Sequence, residues 1–320
     1  MVLTGKPIVV TGADGFIGTA CCRRMQASGR TVQRIVHARA ASGATEDVVA
    51  IDLARAPPDQ LARALRGAFA VVHLAGRAHV MKEVAPDADA AYKAANVDAT
   101  ERLALAAVAA GVHRFVFAST VKVNGESTLP GRPLKPGDPA APRDAYARSK
   151  LAAERMLAQV ASGTSMTVTN LRLPLVYGRG ARGNFRRLVD AVAARRLLPL
   201  GAIDNRRSLV ALDNLLHAID AVLDARSPVP GTHFVADANA ISTPALVRAI
   251  AAALGVAPRL VPVPVPALRL AGALCRRADA VARLTESLEV DTGSLSRATS
   301  WRPRPVSIDA ASVGAAGSET

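Results

Sequence analysis

The stretch Ile8-Val9-Val10-Thr11-Gly12-Ala13-Asp14-Gly15-Phe16-Ile17-Gly18 constrains this chain more than any other. A short apolar run stops at a glycine-rich turn and an amphipathic run starts at once, the pattern of a strand, a tight turn and the first turn of a helix. Gly12 turns where a side chain would clash, Gly15 lets a bound group approach the backbone, and Gly18 lets the helix lie close on its neighbouring strand. A helix N-terminus presents unpaired N–H groups and a partial positive charge, which suits a pyrophosphate. With a strand before it and a helix after, the motif predicts a dinucleotide site that includes Gly12, Gly15, Phe16, Ile17 and Gly18.

Further apolar runs follow at regular spacing. Residues 31–36 read as a second strand, ended by Val36-His37-Ala38-Arg39. NAD-selective folds place a carboxylate there to bond the ribose hydroxyls. Here no carboxylate stands to repel a 2′-phosphate, and His37 and Arg39 are placed to receive one, so NADP is favoured over NAD. Residues 48–51 form a third run ended by Asp52-Leu53, whose carboxylate suits an adenine amino group. A proline-led helix over 57–67 precedes a fourth strand ending in Leu74-Ala75-Gly76, within which His73 reads as a packed side chain rather than a catalyst. A long helical pattern over 86–111 contains Asn96, and a fifth strand, 114–118, delivers Ser119-Thr120. Alternating strands and helices imply a parallel sheet with helices on both faces, with ligands beyond the carboxyl ends of the strands. Every polar feature named so far sits at such an end.

Composition narrows the function. The 320 residues carry a formal charge of +14, which invites nucleic acid, but the arginines are scattered and aromatics make up only 3%. Base-stacking platforms are therefore lacking, and a positive field that draws in small anions fits better. Cys21, Cys22 and Cys275 have no metal-ligand spacing and read as structural thiols of a reducing cytoplasm. The strand at Ile8 comes too early for a signal peptide, and no apolar run reaches the ~18–20 residues of a membrane span. Residues 260–275 are the most apolar stretch, and they read as buried structure.

Tyr146-Ala147-Arg148-Ser149-Lys150 opens the next helix, 143–160. Tyrosine and lysine four apart share a helix face. An ammonium beside a phenol is expected to lower its pKa toward working pH, making a general acid/base for a hydroxyl or carbonyl oxygen. Thr120 supplies a hydroxyl for the same oxygen. Only three tyrosines and six lysines occur in the chain, so a chance pairing is disfavoured.

Together these residues resemble the extended short-chain dehydrogenase/reductase superfamily, in particular its NAD-dependent epimerase/dehydratase members acting on nucleotide sugars. The resemblance rests on Thr11-Gly12-x-x-Gly15-x-x-Gly18, Asp52-Leu53, His73-Leu74-Ala75-Gly76, Asn96, Ser119-Thr120, Tyr146-x-x-x-Lys150 and Leu171-Arg172-Leu173-Pro174-Leu175-Val176-Tyr177-Gly178. It implies a Rossmann-type, doubly wound α/β fold with a smaller C-terminal substrate lobe. Residues 1–178 would mainly bind NAD(P); residues 179–320 would mainly form the lobe, with some segments returning to the first domain. Thr120, Tyr146 and Lys150 would be catalytic, Lys150 would also hold the nicotinamide ribose, and Pro174 would pack near the nicotinamide. The stretch Ser119-Thr120-Val121-Lys122-Val123-Asn124-Gly125 departs from the commoner family run, and Lys122 and Asn124 resemble the branch that handles UDP-linked N-acetylated sugars, including 4-keto-6-deoxy intermediates. Dehydratases carry Asp-Glu after the catalytic Ser/Thr; Val121-Lys122 stands here instead, which disfavours dehydration.

The second half is less regular. A sixth strand over 166–173 leads to the loop Arg179-Gly180-Ala181-Arg182-Gly183 and a helix over 184–196; by resemblance Asn184 and Arg207 meet the substrate diphosphate. A short strand over 231–235, a helix over 243–254, an extended Pro-Val repeat at 261–266 and a closing helical segment in 291–301 follow, and the chain is expected to fray after residue 308. The implied reaction is hydride exchange at C4 of a nucleotide-diphosphate sugar, tilted by the absent carboxylate toward an NADPH-dependent 4-keto-sugar reductase. A UDP-sugar 4-epimerase uses the same triad and is the alternative. A non-catalytic dinucleotide sensor would dispense with Tyr146 or Lys150, and a reductase of apolar substrates would leave Arg182, Asn184 and Arg207 without partners. The resemblance further implies a homodimer formed by the long helices around Asn96 and Tyr146.

Overall fold

A computed structural model describes residues 5–37, 47–78 and 87–314. Seven parallel strands form one sheet: β1 (Ile8–Thr11), β2 (Val32–Val36), β3 (Val48–Ala50), β4 (Ala70–His73), β5 (Arg114–Thr120), β6 (Thr167–Leu173) and, from the C-terminal half, a strand at Gly231–Phe234. Between the last two in the chain lies a separate parallel pair, β7 (Leu175–Tyr177) with β8 (Leu209–Ala211), so the closing strand is β9. The order β3-β2-β1-β4-β5-β6-β9 reverses direction between β1 and β4, which opens a crevice at their carboxyl ends.

Period-two alternation sorts the strand residues onto two faces. Ile8, Val10 and Val72 pack with Cys21 and Met25 of α1 (Phe16–Ala27) and with Leu215 of α7 (Leu212–Asp224). Val9, Val71 and Phe115 pack on the other face with Leu61 of α2 (Pro58–Ala64), Leu103 of α4 (Ala99–Ala109) and Leu157 of α5 (Ala145–Ala161). Both faces are covered, so β1 and β4 read as unbroken apolar runs.

The helical pattern expected over 86–111 is broken by one feature. Between α3 (Ala88–Lys93) and α4, residues Ala94–Asp98 form a π-helical turn, and Asn96 lies in it. Such a turn inserts a residue into the helix and is common at functional sites.

The C-terminal half has its own core, in which Tyr177 and Phe185 of α6 (Asn184–Ala193) meet Val247 and Ile250 of α8 (Thr243–Ala253). Phe16, from the start of α1, packs into this core, so the glycine turn and the lobe share a contact. The Tyr177 hydroxyl donates to Asp237 Oδ2 at 2.7 Å and accepts from the Ser307 amide at 3.1 Å, tying late chain to early.

Three expectations for this half need correction. The Pro-Val repeat is extended only until Val265, where α9 (Val265–Leu274) begins, because proline is tolerated in a helix's first turn. Residues 260–275 are only partly buried: Leu270 is 64% and Leu274 77% exposed, while Leu260, Val265 and Leu268 pack against the lobe core and Gly272 lies against Val281 of α10 (Ala278–Thr285). Residues 309–314 are ordered structure where fraying was expected. After α11 (Gly293–Ala298), a last turn α12 (Ala310–Val313) is capped by Asp309 and buries Val313 in the lobe.

Candidate active site

The glycine turn is shaped by close approach. Gly12 has φ +64°, and a Cβ on it would stand 2.8 Å from the Ala75 nitrogen. A Cβ on Gly18 would stand 2.0 Å from the Gly12 carbonyl oxygen, so only glycine lets α1 start this close to β1. Gly15 precedes Phe16 and Ile17 at the helix start, and no side chain caps that N-terminus. An anion-sized cradle of backbone amides is thus left open to a pyrophosphate. His37 follows the end of β2, where NAD-selective folds carry an acid; Arg39 lies outside the described residues. Asp52 uses Oδ1 to accept the Ala54 amide at 3.1 Å, and Leu53 is buried beside it.

On the other side of β1, register sets Thr11 beside His73. The Thr11 hydroxyl accepts the Ala75 amide at 3.2 Å and lies 2.6 Å from His73 Nδ1. Beyond the ring, Thr100 Oγ is 2.8 Å from Nε2 and donates to the Asn96 carbonyl at 2.7 Å. Thr100 has spent its proton, so Nε2 carries the ring hydrogen, and Nδ1 takes the Thr11 proton. The result is a one-way chain from the Leu74-Ala75-Gly76 loop through a neutral imidazole to the π turn. Burial, with the Lys150 charge nearby, pushes the His73 pKa down to about 3. His73 is a packed residue that joins two parts of the site.

The π turn aims Asn96 at the same loop. Its carboxamide accepts from the Arg77 amide at 2.7 Å and donates to the Arg77 carbonyl at 3.0 Å and to Ser149 Oγ at 2.9 Å. Ser149 in turn donates to the Tyr146 carbonyl at 2.8 Å, linking this loop to α5. A Cβ on Gly76 would lie 2.9 Å from Asn96 Oδ1 and 3.7 Å from Lys150 Nζ, so Gly76, Asn96 and Lys150 converge.

Thr120 ends β5 close enough to Tyr146 for its hydroxyl to favour the phenolate. The half-buried Tyr146 ring lies 6.1 Å from that of Tyr92, over which the Arg77 guanidinium sits at 5.3 Å. Lys150 is buried with its ammonium 4.1 Å from the Phe117 ring. The three residues of the expected triad therefore meet at the carboxyl end of the sheet. Their protonation differs from expectation. Burial and the Asp144 charge push the Tyr146 pKa up to about 12, against the Thr120 hydrogen bond, while burial pulls Lys150 down to about 7, against the Glu154 charge. Desolvation is the largest cause for both, so in the chain alone the phenol is neutral and Lys150 is the group that titrates near neutrality.

Lys122 is committed to two carboxylates, Asp144 at 2.7 Å and Glu126 at 3.3 Å. Asp144 also caps α5 through the Ala147 amide at 2.7 Å, so this link joins the end of β5 to the start of α5. Pro174 is buried between β6 and β7. Arg207 is half-buried and reaches the Glu286 carbonyl at 2.8 Å; burial lowers its pKa, with Glu126, Glu286 and Arg283 nearby. Asn184 is exposed at the first turn of α6.

The sequence reading missed a buried ion pair. Glu154, one turn beyond Lys150, receives the Ser119 hydroxyl at 2.5 Å and a forked contact from Arg172 at 3.0 and 2.5 Å. The signals were present: Tyr146, Lys150 and Glu154 continue at i+4, and Arg172 interrupts an apolar strand, where a charge demands a partner.

A family model, the NAD-dependent epimerase/dehydratase family, matches residues 8–236. The chain belongs to this family. The UDP-glucose 4-epimerase of Vibrio cholerae is 35% identical over 93% of this chain and 91% of its own length. A dTDP-6-deoxy-L-talose 4-dehydrogenase (NAD(P)(+)) of Kitasatospora kifunensis is 28% identical over 93% of this chain and 91% of its own. Among solved structures, the Thermus thermophilus UDP-glucose 4-epimerase in complex with NAD superposes with a TM-score of 0.74 at 23% identity, over 96% of this chain and 98% of that one. That likeness supports the Rossmann-type fold. The chain is an enzyme of the epimerase/dehydratase type, and among the described residues no helix is long and apolar enough to cross a membrane.

Proposed function

We propose that this enzyme interconverts UDP-hexoses by inverting C4, with Thr120, Tyr146 and Lys150 as its catalytic residues. The observation that carries the reading is the convergence of Gly76, Asn96 and Lys150 beside the open amide cradle of α1, with Tyr146 and Thr120 on the same side of the sheet. The full-length similarity to a UDP-glucose 4-epimerase supports the sugar and moves the weight from reductase to epimerase. NAD would be held by the Gly12–Gly18 turn, Asp52-Leu53, Leu74-Ala75-Gly76, Asn96, Lys150 and Pro174, and when bound it supplies a hydride acceptor that is also a hydride donor.

The chain supplies the proton. Tyr146 withdraws it from the C4 hydroxyl as the sugar is oxidised and returns it to the C4 oxygen as the sugar is reduced. A protonated Lys150 favours the phenolate that must form, so the ammonium, although burial penalises it, is the form that serves the reaction. The Thr120 hydroxyl, near the phenol, orients the same oxygen. Arg207 and Asn184 take the diphosphate, and the dimer forms through α4 and α5.

A second reading, an NADPH-dependent 4-keto-sugar reductase, is favoured by His37 in place of a carboxylate after β2. One experiment separates them: the nucleotide released from purified, heat-denatured protein. Stoichiometric NAD together with conversion of UDP-glucose to UDP-galactose supports epimerisation. An empty protein that oxidises NADPH with a UDP-4-keto sugar overturns it. Titration with a sterol in place of a UDP-sugar tests the apolar-substrate class, which should show no binding.

A further inference from the structure

Behind the triad lies a charge pair that the mechanism above does not use. Glu154 and Arg172 are both buried, and the pair has no solvent to screen it. Arg172 comes from β6 and uses its fork on Glu154, while Nη1 donates to Asn124 Oδ1 at 2.6 Å, just past the end of β5. Ser119, the neighbour of Thr120, donates to Glu154 Oε1 at 2.5 Å. One carboxylate on α5 therefore holds the end of β5, and through Arg172 the end of β6.

We propose that Glu154, clamped by Arg172, is a positioning residue that fixes Thr120 against Tyr146 and supplies the buried negative charge that keeps Lys150 protonated. The inference rests on the reading of Thr120, Tyr146 and Lys150 as catalytic. Glu154 follows Lys150 by four residues on one helix face, the spacing at which carboxylate and ammonium interact. Among the described residues, the other elements around Lys150 present the Phe117 ring from β5, the neutral His73 from β4 and the Gly76 backbone from the loop after β4, and Glu154 is the one anion that acts on its charge. On α5 itself Tyr146 is a neutral phenol, and of the Glu154–Arg172 pair it is the carboxylate that acts on Lys150, raising a pKa that burial lowers. A clamp that only held strands together would need no such placement.

The test uses the full chain labelled with 13C-lysine, whose six lysines give resolvable Cε signals, assigned by Lys150→Arg. In Glu154→Gln the Lys150 titration should move to lower pH by about one unit, a tenfold loss of proton affinity, and any alkaline limb of kcat should move with it while KM stays within about threefold. An unmoved Lys150 titration in folded Glu154→Gln overturns the electrostatic role. If Glu154→Gln does not fold, Ser119→Ala decides the alignment role: kcat should fall about tenfold with cofactor affinity and the Lys150 titration unchanged, and an unchanged kcat overturns it. Because the titration needs no substrate, it still reads out if no UDP-hexose is turned over, so failure of the functional reading is told apart from failure of this one.

Discussion

The Lys150 ammonium stands 4.1 Å from the centre of the Phe117 ring, three residues before Thr120 on β5. An ammonium over an aromatic face gains ~0.5–2 kcal/mol, more when water is excluded. The ring thus recovers part of what burial removes. In Phe117→Leu the packing volume is nearly kept and the ring quadrupole lost. Its Lys150 should titrate lower than in the wild type, by about half a unit to one unit, with little change in the other lysines. An unmoved Lys150 signal would show that the ring is packing alone.

Tyr146→Phe removes one oxygen from a ring that Tyr92 and α5 already position. General acid–base catalysis is worth ~10²–10⁴-fold, so turnover should fall by that range while cofactor affinity stays within a few-fold. Near-normal turnover in this variant would take Tyr146 out of the mechanism.

Gly12→Ala should weaken the fold before it touches chemistry. The added Cβ meets the Ala75 backbone nitrogen at 2.8 Å, and φ +64° is a left-handed conformation. That conformation costs an L-residue ~1–2 kcal/mol and overpacking ~1–3 more. Urea unfolding should show a loss of about 2–5 kcal/mol. A loss below half a kcal/mol would mean that the turn relaxes freely and the contact with the 74–76 loop is loose.

What could be read from the sequence was whatever a local rule controls. The seven strands of the main sheet and helices α1, α2, α4, α5, α6 and α8 followed from apolar runs and helical periodicity, helped by signals such as Ser242 capping α8, whereas β7, β8 and α7 were not legible. Tyr146 and Lys150 were legible because four-residue spacing on a helix is itself a geometric statement. Asn96 was legible as a residue but its π turn was not, since the insertion is enforced by Arg77 and Ser149, far away in sequence. The tyrosine's acidity was misread for a related reason: a neighbouring ammonium is visible in the sequence, whereas the depth at which both groups are buried is not. Residues 260–275 failed likewise, because an apolar helix looks the same whether or not anything covers it.

The two depressed bases make a prediction about stability. His73 titrates at about 3 in the fold against 6.5 in the open chain, and Lys150 at about 7 against 10.5. In each window the unfolded chain binds more protons, so stability rises with pH: through 3 to 6.5 for His73 and through 7 to 10.5 for Lys150. Lys150 therefore costs stability at neutral pH, because the fold must hold its charge in a buried site or give up its proton. Lys150→Met replaces it with an apolar chain of similar length beside Phe117. That variant should lose turnover by orders of magnitude and yet melt several degrees higher at pH 7, with the gain shrinking as the pH approaches 10. A lower Tm at pH 7 would mean that the ammonium is held there by more favourable contacts than Glu154 and Phe117 provide.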